Sequence, residues 1–186
     1  LKVIDQSHES VTSNITTIEM RRDLRLATSE TAEYAIDFGN QFHIKSMNGF
    51  NIRSSAFRVL NINTDVYLFD VPSSDRERGQ IGLFSLNSGT STPVIQRRNV
   101  GVINYKTGRI TLDPINIVSG KTKDGVQILE ISASPESNDV IGLQDLYLQL
   151  DSSTVDMVVD PISSGSDPSG SNYTVTTSYS NGNIIR

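Results

Sequence analysis

The chain contains no cysteine, which excludes a disulfide framework and any thiolate metal site. Tryptophan is absent, aromatics make up 6% and hydrophobic residues 36%. At 186 residues the chain can still bury roughly 70% of its unfolded surface, as one domain or two small ones. Positive charge is short: the formal net charge is −5, which argues against nucleic acid or an anionic membrane as partner. No apolar run approaches the ~20 residues of a membrane helix, and no signal-peptide pattern opens the sequence. It starts at Leu1 rather than Met, so a piece of a longer protein is expected. No segment carries a sustained stripe of period 3.6, and no internal repeat is visible.

What is present is period two. Val100–Leu112 consists of two strand-like runs around Lys106-Thr107-Gly108. Gly at the third loop position predicts a hairpin with a left-handed Gly108. Pairing Tyr105 with Arg109 puts Val102 opposite Leu112 and Ile103 opposite Thr111. One face would then hold Val100, Val102, Ile110 and Leu112, and the other Ile103, Tyr105 and Thr111. Ile18, Met20, Leu24 and Leu26 alternate with charged residues, interrupted by Arg22. Tyr34, Ile36 and Phe38 alternate likewise, and Asn48-Gly49 is a turn signal. Val66–Phe69 is apolar on both faces and predicts a central strand. Residues 72–80 and 87–93 read as loops, and 119–125 as a polar turn. Leu146, Leu148 and Leu150, then Val155, Met157 and Val159, predict two half-buried strands.

Together these give an all-β fold, mainly antiparallel and sandwich-like, with nine or ten short strands and few short helical turns, the latter in 5–14 or 136–145. The expected division is an N-terminal β region 1–98 and a C-terminal β region 99–161 containing the 100–112 hairpin. Residues 162–186 follow as a Ser/Gly-rich tail, either flexible or docking a strand at Tyr173–Tyr179 on a partner.

Catalytic chemistry has little to stand on. His8 and His43 are the only histidines, and neither sits in a nucleophile-elbow pattern. Gly120-Lys121-Thr122 resembles the end of a phosphate-binding loop, but Ile115 stands where its first glycine is required. Asp65 and Asp70, and Asp151, Asp156 and Asp160, lack the compact spacing of a hard-cation loop. A glycosidase-like carboxylate pair needs geometry to test. Arg21, Arg22 and Arg25, and Arg97-Arg98, are expected to meet carboxylates across a subunit interface. Asn14-Ile-Thr16 and Asn172-Tyr-Thr174 fit the glycosylation sequon by coincidence. The expectation is no catalytic residue, no cofactor and no metal ligand.

Three stretches carry a resemblance. Gly101-Val-Ile-Asn-Tyr-Lys-Thr-Gly-Arg-Ile-Thr-Leu112 resembles the hairpin near the C-terminus of T-even-type phage baseplate wedge proteins. Ile131-Ser-Ala-Ser-Pro-Glu-Ser-Asn-Asp-Val-Ile141 resembles the segment these proteins carry next, although Gly142 stands where members often have Pro. Tyr34-Ala-Ile-Asp-Phe-Gly-Asn40 resembles a stretch upstream in them. Order and approximate spacing agree over about residues 34 to 160. The resemblance implies a C-terminal part of a virion structural subunit that is no enzyme. It would be assembled in the host cytoplasm and act in a contractile tail through contacts with copies of itself and other wedge subunits. Two rival expectations remain: a glycan-binding β-sandwich, favoured if Tyr67, Tyr147 and Tyr173 cluster in a polar groove, and a carboxylate-pair hydrolase.

Overall fold

The structure is a computed structural model that describes residues 6, 8, 14–142 and 148–158, together with the backbone of four strands between 162 and 185. Two compact units are present, Leu1–Leu146 and Tyr147–Arg186. Unit 1 contains ten strands: β1 (Met20–Arg25), β2 (Thr31–Asp37), β3 (Ile52–Ser54), β4 (Arg58–Val59), β5 (Tyr67–Pro72), β6 (Arg78–Leu86), β7 (Pro93–Asn104), β8 (Arg109–Ser119), β9 (Lys121–Lys123) and β10 (Val126–Ala133). A four-stranded sheet runs β1-β10-β3, with β9 also on β10. A six-stranded sheet runs β2-β8-β7-β6-β5, with β4 also on β8. All the pairings are antiparallel. Both sheets send residues into one core: Met20, Ile52, Leu129 and Ile131 from the first, Leu68, Ile81, Leu83, Ile103 and Ile110 from the second. The fold is therefore all-β and sandwich-like, as the period-two patterning implies. Each fully buried Leu, Ile or Phe contributes about 1.5–3 kcal/mol.

The 98/99 division falls inside β7, and each sheet draws strands from both sides of it. The reason is long-range pairing: β1 lies on β10 and β2 on β8. Residues 136–142 form no helical turn, and most of 5–14 and residues 143–145, where a turn was also expected, lie outside the described residues; the one helical turn among the described residues is the 3₁₀ turn Ser152–Thr154.

The hairpin exists, with its register moved by one. Asn104 pairs with Arg109, Ile103 with Ile110 and Val102 with Thr111, so Tyr105 belongs to a four-residue loop rather than a strand. The slip exchanges the faces: Ile103 and Tyr105 are buried with Ile110 and Leu112, whereas Val102 is 56% exposed. Gly108 is left-handed as expected, at φ 69°. β8 changes phase once. Ile110 and Leu112 are buried, then Ile115 and Ile117, because Asp113-Pro114 bulges opposite Glu33. A bulge is where a strand tolerates proline.

Val66–Phe69 was expected in a central strand, but β5 ends the six-strand order. Its outer edge is covered by the 50–54 segment, which includes β3: Phe50 N–H donates to the Asp70 carbonyl at 3.1 Å, and Leu68 N–H to Ser54 Oγ at 2.9 Å.

In unit 2, residues 148–158 form no strand. Leu148, Leu150, Val155 and Met157 are exposed, so the half-buried strands read from their alternation are corrected; Leu146 and Val159 lie outside the described residues. β11 (Ile162–Ser166) pairs with β12 (Asn172–Val175), and β13 (Ser178–Ser180) with β14 (Asn183–Ile185). The stretch read as linker followed by one docking strand thus holds two antiparallel pairs. Removing 162–186 is expected to leave the thermal midpoint of unit 1 unchanged, since these residues belong to the other compact unit. Circular dichroism melts of both chains check this, and a fall of many degrees would overturn it.

Candidate functional site

The residues singled out from sequence are scattered. His8 is exposed. His43 Nδ1 lies 2.7 Å from Glu136 Oε2, both about half exposed, and no hydrogen bond among the described residues joins its ring to a serine. Asp65 pairs with Arg58 at 2.8 Å on the surface while Asp70 is fully buried, so they form no carboxylate pair. Asp151 caps the 3₁₀ turn by accepting from Ser153, which holds its carboxyl below the usual range. Asp156 is exposed, and Asp160 lies outside the described residues.

Arg21 meets carboxylates, but within its own sheet: Asp23 and Glu130 lie 3.7 and 3.8 Å away. Lys121 joins Glu130 and Lys123 joins Asp23, so Arg21 is part of a charge ladder across β1, β10 and β9, which includes neither Arg22 nor Arg25 among the described residues. Gly120-Lys121-Thr122 leads into β9, and the turn proper is Asp124-Gly125 with φ 51° and 78°. Asn14 has its side-chain nitrogen buried without a partner, and Asn172 is in β12.

The chemistry inside unit 1 centres on Asp70, to which its sequence spacing gave no role. It is fully buried. Oδ1 accepts from the N–H groups of Asn51 and Ile52 at 2.7 and 2.9 Å. Oδ2 accepts from Asn51 Nδ2 at 2.7 Å and the Tyr105 hydroxyl at 2.6 Å. Asn51 in turn exchanges hydrogen bonds with the Ser46 backbone. A buried carboxylate is tolerated where its oxygens are saturated with donors. Burial, then the hydrogen bond and charge of Asp70, push the Tyr105 hydroxyl well above its ordinary pKa. The network pins loop 46–51 and the Tyr105 turn to β5. The available signal was Asp70 itself, an acidic residue inside the apolar run Val66–Val71, where burial demands partners.

A second convergence joins the three stretches that carry the resemblance. The Asn40 carboxamide donates to the Ile141 carbonyl at 2.7 Å and accepts from its N–H at 2.9 Å, as a paired strand residue would. The Gly108 carbonyl accepts from Phe38 N–H, and the Tyr105 carbonyl from Phe42 N–H, both at 2.8 Å. Phe42 also bridges Pro135. Residues 34–40, 101–112 and 131–141 thus share one corner of unit 1.

Sequence reasoning missed the outward face of β5 and β6. Tyr67 and Phe84 stack, Phe50 stacks on Phe69, and Phe50 meets Phe84 edge-on, with ring centroids 5.1–5.4 Å apart. Gly82 makes room: a Cβ there would lie 2.4 Å from the Phe69 ring. Phe50 has φ 62°, a left-handed conformation that costs a bulky residue about 1–2 kcal/mol, and it is 46% exposed. Beside this face, Ile95 stands opposite Phe84 on β7. β7 pairs with β8 only over Gly101–Asn104. Over Pro93–Val100 its far edge has no strand partner among the described residues, and residues 93–99 are all exposed.

Family models, curated proteins and solved structures yield no match to this chain.

Proposed function

We propose that this chain is part of a structural subunit of a phage tail baseplate wedge, acting in the virion by contacts with copies of itself and other wedge subunits, in assembly and tail contraction. The observation that supports this best is the shared corner. The stretches resembling wedge proteins lie up to about a hundred residues apart, as in Asn40 and Ile141, yet they bond to one another, so the resemblance falls on one connected feature of the fold. A long open strand edge next to a partly exposed aromatic cluster adds support, because such edges are natural pairing sites. The glycan-binding alternative asks for Tyr67, Tyr147 and Tyr173 in one polar groove; Tyr67 is half-buried against Phe84 in a patch dominated by phenylalanine, and Tyr147 and the Tyr173 side chain lie outside the described residues.

The test mixes the chain with purified wedge subunits of a T-even-type phage and sizes the products by light scattering. Co-elution with a wedge subunit, at the ~1,200–2,000 Å² interface scale of stable complexes, is expected. A chain that binds none of them and is retained by a glycan on an array overturns the reading in favour of a binding module.

A further inference from the structure

We infer that the open edge of β7 takes up the acidic segment Leu148–Val158 of a second copy of the chain, with the extended arm Val155–Val158 adding beside Val94–Arg98. This deepens the self-association part of the reading above and rests on it.

Several features of the edge select its occupant. It presents unpaired backbone groups, which an extended segment satisfies by strand addition. It presents Val94 and Ile95, both exposed, and then Arg97 and Arg98, exposed and outside every ion pair formed by the described residues. The edge also ends abruptly: Arg98, Asn99 and Val100 together stand opposite Gly82, and Asn99 is left-handed at φ 56°. That bulge limits an added strand to the residues before it, and a second irregularity at Gln96, between the Leu83–Arg97 and Phe84–Ile95 pairs, interrupts the ladder within them.

The two arginines decide between occupants. A second β7 laid parallel and in register on the first would bring four guanidinium groups together, and like charges across a strand pair destabilise it. The occupant should be acidic and apolar. The chain carries such a segment: residues 124–185 hold nine carboxylates and neither Lys nor Arg. Within them, Leu148–Val158 leaves its apolar side chains uncovered, Leu148 at 96% and Met157 at 87% exposure. Val155 starts its arm in extended backbone, φ −77° and ψ 114°. Alternation of Val155 and Met157 with Asp156 gives one apolar face and one carboxylate. Laid along β7, that apolar face extends the Phe50–Phe84–Ile95 surface, while Asp156 on the opposite face meets the one of the two arginines that shares it.

The test uses the full chain. Sedimentation at several concentrations should show self-association that weakens as salt rises. An edge variant, Arg97→Glu/Arg98→Glu, and a segment variant, Asp156→Lys/Met157→Lys, should each run as monomers where the parent chain associates. All four positions are exposed, and circular dichroism verifies that both variants fold. Mixed one to one, the two variants should pair again, because reversed charges on edge and segment then face each other. Self-association that neither variant weakens overturns this inference while leaving the assembly reading intact. A mixture that stays monomeric also overturns it. A parent chain that is monomeric at every concentration removes both the inference and the self-association it rests on, and binding to other wedge subunits then tests the assembly reading separately.

Discussion

Gly108→Ala is expected to destabilise unit 1 by about 3–5 kcal/mol, while Gly125→Ala costs only about 1–2 kcal/mol. Both glycines are left-handed, at φ 69° and 78°, so backbone strain is common to the pair. Their surroundings differ. A Cβ at 108 would lie 2.0 Å from the Asn40 carbonyl oxygen, a contact no real Cβ makes, whereas one at 125 meets nothing within 4 Å. The atom in the way is backbone, held by Phe38 and Phe42 on either side through their hydrogen bonds to the hairpin loop, so it cannot swing aside as a long side chain would. Denaturant midpoints of the two variants, at unchanged slope, measure the difference. Equal costs would show that the corner yields, and the fixed contact between the 34–40 and 101–112 stretches would be lost as an argument.

Asp70→Ala is expected to cost more than about 4 kcal/mol, a large part of the 5–15 kcal/mol that keeps a domain folded. It strands the N–H groups of Asn51 and Ile52, the Asn51 carboxamide and the Tyr105 hydroxyl together. Because that variant can fail to fold, Tyr105→Phe gives a milder reading of the same network, at about 1–3 kcal/mol. It also has a pH signature. Burial and Asp70 raise the Tyr105 pKa above its ordinary 10.0, so the folded chain keeps a proton that the unfolded chain releases. Stability from this group is complete below about pH 10 and falls as pH rises beyond it. The parent chain should therefore lose stability more steeply than Tyr105→Phe above pH 10, measured by urea unfolding at a series of pH values. Parallel curves would mean that the hydroxyl is not held by Asp70.

Period two made the strands legible because half-buried strands write their faces into the sequence, as Tyr34, Ile36 and Phe38 do. Register was less legible. Both readings of the hairpin placed Ile110 and Leu112 on one face, and only the packing of Tyr105 against Asp70 selects the four-residue loop. Alternation at Leu148–Met157 reads as the half-burial of two strands, whereas these residues form no strand and stay exposed. The candidate surface was hidden for a related reason. Whether the far side of Pro93–Val100 is paired depends on where β8 turns away at the Pro114 bulge, and no local pattern in β7 records that.

The pairing of β1 with β10 carries a consequence for how the molecule is made. Met20 lies against Ala133 and Arg25 against Ile128, so the first described strand has no partner until nearly the whole unit has left the ribosome. Such distant pairings must meet a large loop-closure cost before they are rewarded, which places folding in the slow, millisecond-to-second class of all-β domains. During synthesis β5, β6 and β7 can zip locally, with the aromatic face and the open edge already formed, while the four-stranded sheet waits for β10. The surface proposed to bind another chain is thus ready before the fold is closed, and nascent neighbours on one message would meet it first.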